Sequence, residues 1–337
     1  GIMEQRIFGL ETEYGCMAPE HEGFVSSDSV SMKVKDHIFH TDRAGIVDIH
    51  YRGRDEPPGN GGFLFNSGRV YIDMGHIEHA TAECKGLFDL VASDRAGERI
   101  LQRALRSLGL EKEASFLKNN IDHVTGATFG CHENYLVRRN VPFSTVVIPA
   151  LLPFLVTRQI FSGAGRVGSY DDSFYYYGHE NDEEIQEDPV EFQISQRADH
   201  VVTEIYQWIQ FSRAIINTRD EPLADHSKYR RLHLLMGDSN MSEYANALKV
   251  GTTALVLDLL ERKLFPRDAE LGDPVWALKE ISRDPTYAWI LDRRNGRTIS
   301  ALDIQRQYLA LAERHLSGMD EESDWVLREW AETLNCL

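Results

Sequence analysis

Two carboxylates, Glu11 and Glu13, stand two residues apart in GLETEYG, residues 9–15. In an extended strand that spacing puts both side chains on one face. The neighbours favour a strand. Ile7, Phe8, Leu10 and Tyr14 suit a pleated sheet, and Phe8, Leu10, Thr12 and Tyr14 share the opposite face. Adjacent carboxylates repel, and sharing a site raises the pKa of one of them. A divalent cation removes that cost, and Mg²⁺ takes carboxylate and water oxygens in an octahedral shell.

The same alternation recurs downstream. Arg69, Tyr71 and Asp73 alternate with Val70, Ile72 and Met74, and Glu78 and Glu83 follow. His132 and Asn134 share one face of CHENY, with Cys131, Glu133 and Tyr135 on the other. Gln193, Ser195 and Arg197 alternate with Phe192 and Ile194. A sheet with one solvated face also alternates, but such a face is usually rich in Lys, Thr, Ser and Gln. Lys is absent from all four segments. Carboxylates call for cations, and arginines suit bidentate contacts to phosphate. The four faces are therefore read together as a metal–phosphate site lining a concave sheet. The alternation by itself leaves a plain wet face open.

These faces need a scaffold, and the chain is long enough for one large domain. Of its 337 residues, 42% are hydrophobic and 26% charged, ordinary values for a soluble globular protein. Gly1 and Ile2, ahead of Met3, are read as an expression remnant outside the folded domain. Cys16, Cys84, Cys131 and Cys336 form no Cys-x-x-Cys pair. That spacing argues against a disulfide framework or zinc knuckle and favours a reducing cytoplasm. A net charge of −17 disfavours nucleic acid as a partner. No apolar run approaches a membrane span.

Residues 5–16 are predicted as a strand. Residues 25–62 are mixed and end in an exposed turn-rich loop, RGRDEPPGNGG. FLFNSGRVYIDMG makes one or two strands, residues 87–109 a helix, residues 127–137 a strand, and residues 147–163 an apolar helix ending at glycine. GAGRVG, residues 163–168, matches G-x-G-x-x-G, but it follows a helix rather than a strand. It is read as a helix stop and turn, not a dinucleotide site. Residues 170–190 are predicted as a mobile acidic loop. EFQISQRADH starts as a strand and gives way to a helix around residues 200–213. RRLHLLMGDSN is a strand and turn, and the chain after Glu243 is mostly helical, with a capped start at Ser300 to Asp303. The sum is an α+β protein with an antiparallel or mixed sheet.

Several motifs resemble a known family: GLETEYG, NSGRVYIDMGHIEHATAEC, KNNIDHVTGATFGCHENYLV, PFLVTRQIFSGAGRVG, SQRADH, INTRDEP, YRRLHLLMGDSNMSE and LKVGTTALVLDLLE. In this order, from about residue 5 to about residue 315, they resemble the Pup–protein ligase and Pup deamidase/depupylase family. Those enzymes attach or remove the small ubiquitin-like modifier Pup. The resemblance implies a glutamine synthetase-like curved sheet cradling ATP and Mg²⁺, flanked by helices, in a single domain over residues 3–337. In the family, further residues follow the last helix, including a small C-terminal domain, which this chain is expected to lack.

By motif position the resemblance makes Glu11, Tyr71 and Glu78 metal ligands. Arg69 and Thr81 become nucleotide contacts, and Asp73 the catalytic base. Glu13, Glu83, His132 and Asn134 are additional ligands or supports, and Arg197 and Arg219 are the chosen phosphate clamps. The implied partners are a Pup-like modifier and lysine-bearing proteins. ATAEC, GCHENYL and GDSNMSE lie closer to the ligase branch, whereas the Asp73-to-Glu78 spacing lies closer to the depupylases. Motif identity favours a ligase, with a depupylase or deamidase as the alternative.

Overall fold

The computed structural model describes residues 6–18, 26–54, 56–118, 120, 129–168, 191–207, 213–220 and 224–337. The alternating segments become strands β1 (Phe8–Met17), β2 (Gly45–Val47), β3 (Gly61–Leu64), β4 (Arg69–Asp73), β5 (His76–Ala80), β6 (Ser115–Leu117) and β7 (Cys131–Arg138). They are joined by β8 (Arg166–Val167), β9 (Phe192–Gln193), β10 (Thr203–Tyr206), β11 (Ala214–Asn217) and β12 (Tyr229–Leu234). Ten of them form one sheet in the order β10-β11-β12-β7-β1-β5-β4-β3-β2, with β6 also on β1. The sheet is mixed, because β10 runs parallel to β11 while the other neighbours are antiparallel.

The helices are α1 (Ser27–Asp36), α2 (Leu87–Ser107), α3 (Ile148–Thr157), α4 (Gln159–Ser162), α5 (Glu243–Glu261), α6 (Pro274–Arg283), α7 (Ala301–Leu316) and α8 (Glu321–Cys336). Phe8, Leu10, Tyr135, Val137, Leu232 and Leu234, from the apolar faces of β1, β7 and β12, pack in one core with α3, α5 and α7. Tyr14, Val70, Ile72 and Ile77 pack with Val30 and Val34 of α1 and Leu101 and Leu105 of α2 in a second. Helix α5 is buried from Asn246 to Leu260, as expected of a helix that is apolar nearly all round. Ser300 caps α7 by accepting from the Asp303 N–H at 3.0 Å, as the Ser-x-x-Asp pattern predicts. Helix α2 begins at Gly86, which has no capping side chain. Glu322 of α8 supplies the acceptors instead, at 2.7 Å from the Leu87 N–H.

Three expectations change. Residues 203–206 are the edge strand β10, not part of a helix over 200–213, and Ala214–Asn217 is a further buried strand. A short apolar β-branched run such as AIIN has no periodicity that separates strand from helix. Second, only Phe192–Gln193 of EFQISQR is a strand, and it pairs with Arg166–Val167 outside the main sheet. There Gln193, Ser195 and Arg197 are buried while Phe192 is exposed, the reverse of a wet polar face. Third, helix α1, capped by Ser26, emerges from the stretch read only as mixed. Gly163 ends α4 and Gly165 and Gly168 take positive φ, as the helix-stop reading requires. The acidic loop over 170–190 lies outside the described residues.

Beneath the sheet, His79 of β5 is fully buried against α2. A Cβ at Gly97 would lie 2.2 Å from His79 Nδ1, so the helix can approach only with glycine there. Gly97→Ala gains up to ~1 kcal/mol of helix propensity but overpacks the core, at ~1–3 kcal/mol. We expect a net loss of stability, read as a lower urea midpoint with an unchanged m-value.

Candidate active site

Strand register assembles the polar faces into one row. Glu13 faces Glu78 and Glu11 faces Ala80 across β1–β5, and Tyr71 faces Glu78 and Asp73 faces His76 across β4–β5. On the other side Glu11 faces His132, and Asn134 faces His233. Phe63, Arg69, Tyr71, Asp73, His76, Glu78, Glu13, Glu11, His132, Asn134, Arg231 and His233 therefore share one face. The turn between β4 and β5 is Met74-Gly75, with φ of 48° and 85°. Two consecutive positive φ values make a tight hairpin and hold Asp73 at the rim beside His76.

Four carboxylates meet here in different surroundings. Burial would raise Glu11, yet the nearby His132 and His233 imidazoles hold it well below the usual carboxylate range. Asn134 donates to its Oε2 at 3.1 Å, and His233 Nε2 lies 3.3 Å from the same oxygen. Glu13 accepts from the Gly130 N–H at 3.1 Å and pairs with His76 Nδ1 at 2.7 Å. Glu78 goes the other way: burial and the nearby charge of Glu11 push it well above its ordinary value, with Glu13 and Asp73 adding to the repulsion. Tyr71 is raised too, by burial and then by Glu78 and Glu11. Burial, Glu13 and Glu56 raise Asp73. That direction strengthens it as a base.

This donor set fits divalent ions. The ligand atoms of Glu11, His132 and His233 lie within 4.8 Å of one another. Burial pushes His233 down to about 4, so at neutral pH the ring is uncharged, the form that ligates metals. Imidazoles suit transition ions such as Zn²⁺ or Fe²⁺, whereas the all-oxygen set Glu13, Glu78 and Tyr71 suits Mg²⁺ or Mn²⁺. The repulsion that, after burial, raises Glu78 is the cost a cation would relieve.

Arg69 lies over the Tyr71 ring, 4.2 Å from its centroid, and near Phe63 at 5.8 Å. Its NH2 is 3.3 Å from Glu56 and 3.8 Å from the buried Asp48. Arg197 is buried, and Asp238 and Glu13 favour its charge against that burial. Arg219 follows β11, its N–H bonded to Asn217 Oδ1 at 2.8 Å, and Asn217 faces His233. Thr81 spends its hydroxyl on backbone, accepting from Leu10 N–H at 3.1 Å and donating to the Ala82 carbonyl at 2.9 Å. Glu83 is exposed past the end of β5 and is not part of the Glu11 group.

Sequence reasoning missed His233, Arg231 and His76 as site residues. Arg231 donates from Nε to Asn134 Oδ1 at 2.7 Å and lies 3.8 Å from Glu11. In RRLHLL, Arg231 and His233 alternate with Leu232 and Leu234, the same signal that marked the other strands.

In Glu78→Gln an amide replaces a carboxyl whose ionised form is disfavoured by burial and by the neighbouring acids. In chelator its melting temperature should therefore equal or exceed that of the unchanged protein. The rise produced by Mg²⁺ or Mn²⁺ should fall by more than half, as scanning fluorimetry can read. An unaltered metal response would remove Glu78 from the ligand set.

A family model described as Pup-ligase protein matches residues 6–337. The Pup–protein ligase of Actinosynnema mirum is 39% identical over 346 residues, covering 99% of this chain and 69% of its own length. That of Nocardia farcinica is 40% identical over 346 residues, with the same coverage of 99% and 69%. Among solved structures, the complex of Pup with its ligase PafA superposes with a TM-score of 0.78 at 35% identity, covering 99% of this chain and 64% of that one. PafA in complex with ADP gives a TM-score of 0.68 at 35% identity, covering 96% and 66%. The chain thus spans about two thirds of the length of these relatives. No helix among the described residues is long and apolar enough to cross a membrane. On the family match and these identities, the chain belongs to the Pup-ligase family.

Proposed function

We propose that this protein is an ATP- and Mg²⁺-dependent carboxylate–amine ligase acting in the cytoplasm as a single catalytic domain. It joins the C-terminal glutamate of a Pup-like modifier to a lysine of a protein substrate. The observation that carries this reading is the placement of Asp73 at the rim of a face that combines Glu11, Glu13, Glu78 and Arg69, in a chain of the Pup-ligase family. The relatives named above are Pup–protein ligases, one solved with Pup and the other with ADP.

A carboxylate is a poor electrophile, so the modifier's glutamate is first phosphorylated. The γ-phosphate moves to its side-chain carboxylate, leaving ADP, and the lysine amine then displaces phosphate to form the isopeptide bond. Bound Mg²⁺ would neutralise phosphate charge during the transfer. Glu11, Glu13, Tyr71 and Glu78, with His132 and His233, would hold the ions. Arg69, Arg197 and Arg219 would contact phosphate oxygens, which their guanidinium forks match. Asp73 takes the proton that the lysine ammonium must lose before it can attack. Its elevated proton affinity suits that task, and such help is typically worth ~10²–10⁴-fold. Thr81 would reach the nucleotide only through the lone pair its backbone bonds leave over, and Glu83 would hold an ion only at the exposed outer end of β5.

Incubation with ATP, Mg²⁺, a Glu-terminated Pup-like peptide and a lysine-rich protein should release ADP and yield an isopeptide conjugate. Asp73→Asn should slow conjugation by ~10²-fold or more while retaining nucleotide binding. Cleavage of a preformed conjugate, without synthesis, would instead favour the depupylase reading.

A further inference from the structure

Arg197 lies outside the main sheet, on a turn that follows β9, it is 3% exposed, and Glu13 of the polar face is among the charges that favour its guanidinium. That turn is built around one carboxylate. Asp238, itself 3% exposed, accepts at Oδ1 from Ser195 Oγ and from the Arg197 N–H, both at 3.1 Å. Its Oδ2 accepts from the Gln196 N–H at 2.9 Å and the Ala164 N–H at 2.8 Å. Its backbone carbonyl accepts from the buried Lys249 Nζ at 2.8 Å. At the preceding Gly237 a Cβ would come within 2.7 Å of Glu133 Oε2, so the segment is pressed against the buried ion pair of Glu133 with Arg158.

We propose that Asp238 is the positioning residue that presents Arg197 to the phosphates of a bound nucleoside triphosphate. It does so by gathering the Ala164, Ser195, Gln196 and Arg197 donors onto its two oxygens. The proposal deepens the reading of Arg197 as a phosphate clamp and rests on it. Asp238 itself touches no substrate. Both its oxygens face two donors each, so only a carboxylate satisfies all four; an amide in either orientation sets an NH₂ against two of them. Asp238 is also the leading opposite charge that favours the buried guanidinium, with Glu13 second. One side chain thus fixes both the backbone and the charge of the clamp. Neither contact reaches Asp73, so the predicted defect falls on nucleotide binding rather than on proton transfer.

The test uses the full chain, ADP with Mg²⁺ by calorimetry, and ATP-dependent conjugation kinetics. Asp238→Asn should weaken ADP by about tenfold, raise KM for ATP similarly and leave kcat within about threefold. Arg197→Gln should weaken ADP at least as much, and the double variant should be within about twofold of the weaker single one in ADP affinity, because both remove one interaction. If Arg197→Gln leaves ADP affinity unchanged, the clamp reading fails and the proposal with it. If Arg197→Gln weakens ADP while Asp238→Asn only lowers the melting temperature, or if the two losses multiply, the proposal alone is overturned. Should Asp238→Asn not fold, Ser195→Ala removes one donor to Asp238, together with the Oγ that accepts from the Arg197 and Ala198 N–H groups at 3.2 and 3.1 Å, and decides: a severalfold loss of ADP affinity supports the positioning role, and an unchanged affinity overturns it.

Discussion

Mutual repulsion among carboxylates on one sheet face is the constraint around which the rest of the molecule is arranged. Glu11, Glu13, Glu78 and Asp73 are carried by three adjacent strands, so register places them together whatever their charges prefer. The apolar backs of those strands provide the opposing stabilisation. Phe8, Leu10 and Tyr14 on β1 and Val70, Ile72 and Ile77 on β4 and β5 are buried. At ~1.5–3 kcal/mol for each large apolar side chain, that burial outweighs a few exposed-side repulsions. Each acid then relaxes differently: Glu11 by histidine and amide contacts, Glu13 by His76 and a backbone N–H, and Glu78 by a raised proton affinity.

A second layer of charge lies behind the same strands. Glu133, on the reverse side of β7 from His132 and Asn134, is fully buried and bonded to Arg158 at 2.8 and 2.6 Å and to the Tyr135 hydroxyl at 2.7 Å. Thr12, between Glu11 and Glu13 in sequence, donates to Asp94 of α2 at 3.2 Å, and Lys118 reaches the same carboxylate at 2.8 Å. Breaking a buried pair of this kind typically costs 3–5 kcal/mol, roughly, because a charge is left uncompensated. Such pairs do little for net stability, but they leave the strands few alternative positions. Precise placement of donors is what phosphoryl transfer requires of a protein.

The arginines illustrate how distant parts of the chain converge. Arg69 comes from the sheet itself and is held between aromatic rings and the acids Asp48 and Glu56. Arg197 comes from a turn that no main-sheet strand contains, and its backbone N–H is bonded to Asp238, 41 residues further on. The two arginines are thus held by unrelated means, one by strand alternation and the other by a turn built on a buried carboxylate.

Much of the sheet was legible in the sequence because a period of two is local information. GLETEYG, RVYID and CHENY each state which residues share a face, and the structure places Glu11, Glu13, Arg69, Tyr71, Asp73, His132 and Asn134 accordingly. The helices from Glu243 onward and the Ser300 cap were legible for the same reason. What alternation cannot state is which strands become neighbours. The meeting of Glu11 with His132 and His233 depends on β1 lying next to β7 and β7 next to β12, and those pairings are long-range. Nor could local pattern show that AIIN is a strand parallel to residues 203–206, since a four-residue apolar run carries no period. The polar alternation of EFQISQR even pointed the wrong way, because its polar side chains are buried by bonds to Asp238, Asp199 and Ser282. Residue types and their spacing determined the chemistry on offer. Tertiary packing decided which groups meet, because only the folded chain sets the distances at which charges repel, bond or share an ion.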